Sequence, residues 1–355
     1  MNSSSRRRSR HGWGLRPQWI VVIVTLLVYA SMFRGEFIFD DYDSIIANED
    51  IHSLQYDRIR TTYGVTRQVV AISIAANYAV GGLQIFGYHS VNLLIHLFAS
   101  LAVYELVGRL LVRSRWVRLA RRGNILLRKR HSWVCLIAAC IFALHPLQTS
   151  AVTYITQRAE SLASLFYLLT IVTMIRSSGV RGQIRIRWCV ASAFCLTLAL
   201  FSKEFAITAP AVACVLDRLF VAKSWTRLMG SRWPLYVLYC LPLAVMLVLL
   251  SPKLQLTRIA KTDTVRVDLS EDQVRANQRA SQDERQSIPI LETIRRRASS
   301  IDDPVIRARR GITRVEFLRS QPRVMFRYLR LFIWPTGQCL DYQWQPEPPG
   351  RSILP

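Results

Sequence analysis

Two aspartates, Asp40 and Asp41, stand side by side in Phe37-Ile38-Phe39-Asp40-Asp41-Tyr42-Asp43, just beyond an apolar run from Trp19 to Phe33. Carboxylates at the end of a membrane span sit where lipid headgroups meet water. Ionisable groups there are costly to desolvate, so the pair is a candidate for chemistry on a lipid-borne substrate. A solvated loop start that merely ends the helix is the plain alternative. Other polar groups recur beside later apolar runs. His89, Asn92 and His96 are spaced by three and four and share a helix face. Inside lipid each needs a partner, so a role in structuring a site is expected of them. His145, followed by Pro146, ends one apolar run, and Arg158 and Glu160 begin the next. Lys203 and Glu204 are wedged between two short runs, and Arg67 lies in the long segment after the aspartates. A local ion pair or snorkelling would explain each alone. Their convergence on one face argues for a shared site.

The elements that must position these residues are apolar runs. Seven candidate spans follow one another at 17–33, 91–112, 133–144, 162–175, 188–201, 207–220 and 233–250. Several fall short of the roughly 20 residues that a perpendicular span needs, so they must tilt, pack within a bundle or borrow flanking polar residues. The fold class expected is therefore all-α, a polytopic membrane helix bundle. Half of the residues are hydrophobic, 51%, yet the formal net charge is +24 and the pI about 10.6. Such a basic excess serves nucleic acid or an anionic membrane surface. Here the charges fall between apolar runs rather than along one face, which excludes nucleic acid as partner and leaves the lipid bilayer.

Arginine placement orients the chain. The link between the second and third runs holds Arg113, Arg115, Arg118, Arg121, Arg122, Arg128, Lys129 and Arg130 without an acidic residue. The links holding Arg176, Arg181, Arg185 and Arg187, and Lys223, Arg227 and Arg232, alternate with it. The positive-inside rule puts these links and the basic N-terminus, 1–16, in the cytoplasm. The core then spans 17–250, with an extracytoplasmic loop at 34–90 carrying Asp40 and Asp41. The membrane would be the plasma or inner membrane of a bacterium, or the endoplasmic reticulum of a eukaryote. The N-terminus lacks a small-residue cleavage site, so an uncleaved first span is expected. Of seven cysteines, only Cys339 lies outside the runs, which implies no disulfide framework. There is no CxxC, no histidine-rich metal spacing, no phosphate-binding glycine loop and no GxSxG.

Taken in order, the motifs resemble a known family. They are Phe39-Asp40-Asp41 with Ile45 and Asn48; Gly87-Tyr88-His89 with Asn92 and His96; His145-Pro146 with Thr149 and Ala151-Val152; Arg158-Ala159-Glu160; Ser202-Lys203-Glu204; and Tyr328-Leu329, Trp334-Pro335 and Asp341-Tyr342. Their order and placement resemble the polytopic O-mannosyltransferases that carry tetratricopeptide repeats, within the GT-C superfamily. The resemblance covers residues from about 19 to 342. It departs from the family where Gln68 follows Arg67 in place of proline, and where Ser150 replaces an acid. No period of about thirty-four residues is visible, so a truncated relative without the repeats is expected.

The resemblance implies glycosyl transfer on the non-cytoplasmic side. The donor would be a polyprenyl-phosphate-linked sugar, often mannose, and the acceptor a protein Ser or Thr hydroxyl. A hydroxyl nucleophile needs a carboxylate base, and the leaving phosphate needs a cation. Asp40 is the expected base, with Asp41 tuning its charge or holding the acceptor. Arg158, Lys203 and Arg67 are the expected phosphate-binding groups, and His89, Asn92, His96, His145, Glu160 and Glu204 the site-structuring ones. The spacing requires no metal or other cofactor, and a divalent ion bridging the aspartates stays open. The alternative is a non-catalytic scaffold; a transporter would want its ionisable groups at mid-membrane.

The segment 251–355 reads as extracytoplasmic, polar and partly disordered, with helix around 288–298. Anionic lipid or acidic glycan is its other reading. The apolar patch at 324–333, interrupted by Arg327 and Arg330, reads as interfacial or as the start of a further span. Topology is checked by introduced cysteines. Positions 41 and 203 should label with an impermeant reagent from outside the cell or vesicle of native orientation, and position 122 should not.

Overall fold

A computed structural model describes residues 16–52, 66–114, 125–250 and 314–336. The chain divides into two compact units, 1–250 and 251–355. The described residues of both are helical, with no strand among them. The first unit holds α1 (Pro17–Val28), α2 (Gln68–Gly81), α3 (Ile85–Arg113), α4 (Ile125–Leu144), α5 (Gln148–Thr153), α6 (Arg158–Ser177), α7 (Gly182–Leu200), α8 (Ala209–Leu216) and α9 (Trp233–Leu250). In the second, α10 runs from Arg314 to Ile333.

Six helical segments are long and apolar enough to cross a membrane: Pro17–Arg34, Ile85–Arg113, Ile155–Ser177, Gly182–Leu200, Glu204–Ala222 and Trp225–Leu250. The protein is an all-α polytopic bundle. Seven spans were expected from the sequence. The third of them, within α4, is the shorter apolar helix His131–Leu144, because Arg128, Lys129 and Arg130 occupy the turn before it. Runs that looked too short are lengthened by polar flanks, so that 162–175 becomes Ile155–Ser177 and 207–220 becomes Glu204–Ala222. The helix expected around 288–298, and the remainder of 251–313, lie outside the described residues.

Local chemistry marks the helix ends. Pro17 opens α1, where its missing N–H is not needed and its fixed φ suits the first turn. Leu144 ends α4 one residue before His145-Pro146, as proline's inability to continue the ladder requires. Helix α6 carries Glu160 in its first turn and Arg176 in its last, which complements the backbone dipole at both ends.

The spans alternate in direction. At the start of α3 the Tyr88 carbonyl accepts from Arg158 at the start of α6 (3.1 Å). At their other ends, Arg113 donates to the Ile175 carbonyl and to Ser178 Oγ, both at 3.0 Å. Helix α7 returns antiparallel to α6, with Trp188 under the Arg176 guanidinium at 4.9 Å. Helix α3 has 29 residues, about 43 Å at the standard rise, so its two ends reach past both faces of a roughly 30 Å hydrocarbon core. One end of the bundle therefore gathers Arg109, Arg113, Arg176 and Arg232. The other gathers Asp40, Asp41, Arg158, Glu160, Lys203 and Glu204.

The basic end is locked by a buried ion pair. Asp217 Oδ2 accepts from Arg232 Nε and from the Tyr236 hydroxyl, each at 2.9 Å. Arg232 also donates to Ser177 Oγ and to the Met174 carbonyl, both at 3.1 Å, which ties α6 to the start of α9. Both partners are buried. Removing one leaves an uncompensated charge, which costs about 3–5 kcal/mol, whereas replacing both by apolar groups is nearly neutral. Asp217→Ala should therefore lower the thermal midpoint in detergent strongly, and Asp217→Leu combined with Arg232→Met should recover most of the loss.

Candidate active site at one end of the bundle

The aspartates sit in a tight turn. The Ile38 carbonyl accepts from Asp41 N–H (3.0 Å), and the Phe39 carbonyl accepts from Tyr42 N–H (3.1 Å). Asp41 Oδ2 reaches back to accept from Ile38 N–H at 3.2 Å. Phe39 has φ +46°, a left-handed conformation that costs a bulky L-residue about 1–3 kcal/mol. A strained residue immediately before Asp40 persists because its neighbours over-determine the turn.

The two carboxylates differ. Asp41 is fully buried, and its Oδ1 accepts from Thr156 N–H at 2.8 Å and from the Thr156 hydroxyl. Burial raises the Asp41 carboxyl above its ordinary range, opposed by the Thr156 hydroxyl and the Ile38 and Thr156 N–H groups. Asp40 is exposed, with its backbone fixed by donation of its N–H to the Tyr154 hydroxyl at 3.0 Å. Burial, with the Asp40 and Asp41 charges adding to it, pushes the Tyr154 phenol up to about 12. One carboxylate anchors the turn and its neighbour meets solvent.

Arg158 stands behind this turn with no solvent exposure. Its Nε donates to Asn92 Oδ1 at 2.7 Å. One terminal nitrogen donates to Asn77 Oδ1 (2.7 Å) and the Ser73 carbonyl (3.1 Å), and the other to the Tyr88 carbonyl. Asn92 Nδ2 in turn donates to the Val152 carbonyl at 3.3 Å. The guanidinium thus sits on protein acceptors from α2 and α3, and Asn92 links it to the 151–158 corner. Helix α2 packs Val70, Ala71, Ile74 and Ala75 into the core with Tyr88, Ile95, Ile155 and Ala159.

The cations follow one turn further on. Lys203 pairs with Glu160, and Arg67 with Glu204 (3.3 Å), which also accepts from Thr66 Oγ1 at 3.1 Å. Donation from Val69 N–H to the Phe201 carbonyl (3.1 Å) seals the loop onto the 201–204 bend. Thr156, which holds Asp41, and Glu160, which holds Lys203, are four residues apart, about 6 Å along a helix axis.

The histidines lie on the bundle side. His96 Nε2 meets the Ala143 carbonyl at 2.9 Å, and His145 Nδ1 accepts from Leu147 N–H at 3.2 Å. His89 is buried with neither ring nitrogen partnered among the described residues. A Cβ on Gly35 would come within 3.1 Å of His89 Nε2 and 3.0 Å of the Met32 carbonyl, so a side chain there would press on the ring and the turn. Among the described residues no group of three or more His, Cys, Asp or Glu is arranged to hold a metal ion.

Of the residues expected at the site, the structure joins Asp40 and Asp41 to Tyr154 and Thr156, Glu160 to Lys203, and Arg67 to Glu204. His89, Asn92, His96 and His145 line the helices behind them. Sequence reading missed Tyr154 and Thr156, which hold the aspartates, and Ser73 and Asn77, which hold Arg158. The spacing of Ser73 and Asn77 by four, facing an intramembrane arginine, was the available signal.

The chain is 29% identical over 223 residues to the protein O-mannosyl-transferase TMTC3 of Mus musculus, covering 58% of this chain and 22% of that protein. To TMTC4 of Homo sapiens it is 28% identical over 230 residues, 59% of this chain and 30% of the relative. To Tmtc2 of Drosophila melanogaster it is 30% identical over 211 residues, 55% and 21%. Its relatives are protein O-mannosyl-transferases. The motif resemblance and the measured likeness thus point to one group, the O-mannosyltransferases named TMTC. The chain spans between about a fifth and a third of the length of these relatives. No protein-family model and no solved structure matches it.

Thr156 gives a pH-dependent test. The folded Asp41 carboxyl titrates above its unfolded value of about 3.9, so the protonated form's contribution is complete below that pH and is lost as pH rises through the folded pKa. Thr156 opposes this by favouring the ionised form. Thr156→Val should therefore cost about 1.5–3 kcal/mol at neutral pH, and the deficit should shrink as pH falls below the folded pKa and Asp41 protonates in both proteins. Thermal midpoints of the two proteins across pH 4–8 check this.

Proposed function

We propose that this chain is a membrane glycosyltransferase. It would move a sugar, mannose by likeness to its relatives, from a polyprenyl-phosphate donor to a protein hydroxyl. The observation that carries the proposal is two sets of contacts on one stretch of chain: Tyr154 and Thr156 hold the Asp40–Asp41 turn, and Glu160, four residues after Thr156, holds Lys203.

The acceptor hydroxyl oxygen attacks the anomeric carbon while its proton passes to the Asp40 carboxylate. The bond from that carbon to the phosphate oxygen breaks, and the electron pair leaves with the lipid phosphate. Lys203 and Arg67 take up the charge that develops on the phosphate, exchanging Glu160 and Glu204 for it. Preorganised cations at a low-dielectric boundary make the largest electrostatic contribution to such a step. Asp41, buried and hydrogen-bonded at both oxygens, is a positioning residue. So is Arg158, whose guanidinium sits on Asn92, Asn77, Ser73 and Tyr88 rather than facing the corner where Lys203 lies. The basic end of the bundle faces the cytoplasm in this reading, by the positive-inside rule, and the site faces the opposite compartment.

Asp40→Asn is the test. General-base catalysis contributes about 10²–10⁴-fold, so glycan on the native acceptor should fall by at least about a hundredfold with membrane insertion and thermal midpoint unchanged. Tyr154→Phe, which removes one hydrogen-bond acceptor behind Asp40, should lose about tenfold. An Asp40→Asn cell line whose secreted and envelope glycoproteins match the parent by mass spectrometry would instead identify a scaffold.

A further inference from the structure

Helix α10 belongs to none of the segments able to cross a membrane. Its sequence carries Arg314, Arg319, Arg323, Arg327 and Arg330 against the single acid Glu316. Positions 323, 327 and 330 are spaced by four and three, which places them on one stripe within about 60° of each other. Met325, Tyr328, Leu329 and Phe332 fall on the opposite side at the same spacing. On the apolar side Met325 is 64% exposed, Tyr328 51% and Leu329 58%, whereas Leu331 on the flank of the helix is buried. Trp334, just past the last turn, is 66% exposed.

We propose that α10 lies in the plane of the bilayer interface and docks on anionic phospholipid headgroups. Three observations choose this occupant. A surface helix with apolar side chains on one face and arginines on the other buries the first among acyl chains and leaves the second at phosphate depth. Arginine pairs bidentately with phosphate oxygens and extends its apolar stem along lipid while doing so. Tryptophan at the helix end sits where an interfacial anchor is favoured. The stripe is nearly pure in sign, so the complementary surface is negative rather than zwitterionic. A bilayer is also the surface the chain already inhabits through its spans.

The full chain is tested in nanodiscs of phosphatidylcholine alone, or with about one third phosphatidylglycerol, by amide hydrogen exchange over 323–334. Exchange should be roughly tenfold slower in the anionic discs. Arg323→Gln, Arg327→Gln and Arg330→Gln together should abolish that difference while leaving exchange in the spans unchanged. Equal protection in both discs and in detergent would mean that protein covers the helix, and overturns the proposal. So would an anionic-lipid effect that survives the triple substitution.

Discussion

A guanidinium shut away from water must find an acceptor for its N–H groups inside the protein, and much of this molecule is arranged around one that does. Arg158 has no solvent exposure at the entry to a membrane-spanning helix. Hydrogen bonds to a charged donor in such surroundings are worth about 1.5–3 kcal/mol each, and leaving the charge unsatisfied costs more. The acceptors come from two separate helices: Asn92 and Tyr88 at the start of α3, and Ser73 and Asn77 on α2. That requirement holds α2 against the bundle. It also fixes the corner at 151–158, because Asn92 holds the Val152 carbonyl with its other end.

From that corner the functional geometry follows. Tyr154 and Thr156 are the two residues of the corner that face the aspartate turn, and they bind the backbone of Asp40 and the carboxylate of Asp41. About one helical turn of backbone beyond Thr156 then brings Glu160 to Lys203. A carboxylate pair on a loop would otherwise be free to wander by several ångströms, which is enough to remove most of a positioned base's benefit. The strained Phe39 backbone is the local cost of pointing one carboxylate inward and its neighbour outward. The opposite end of the bundle solves the same problem of a buried charge with a partner of opposite sign, Asp217 with Arg232, and so serves as a lock rather than a site.

The legibility of the chain was uneven for physical reasons. Apolar runs separated by arginines announce spans directly, because neither lipid nor the membrane boundary tolerates the alternative. The shared face of His89, Asn92 and His96 followed from helical spacing. Two features stayed hidden. A span's true length depends on which flanking polar groups find partners, so Ile155–Ser177 begins seven residues before the apolar run at 162. The division of labour between adjacent aspartates was equally invisible, since burial of one side chain and exposure of its neighbour depends on what packs against the turn.

By itself the sequence determined that the chain is a helical membrane bundle whose basic links alternate along it with its acidic and histidine motifs. Hydropathy and charge act locally and leave no second solution. Only the tertiary structure decided that Arg158 is a tie among three elements, that Tyr154 and Thr156 hold the aspartates, and that Lys203 meets Glu160 and Arg67 meets Glu204. Those pairings join residues from 43 to 137 positions apart in the chain. No local preference encodes them, because each is chosen by the packing that brings its partners within hydrogen-bond reach.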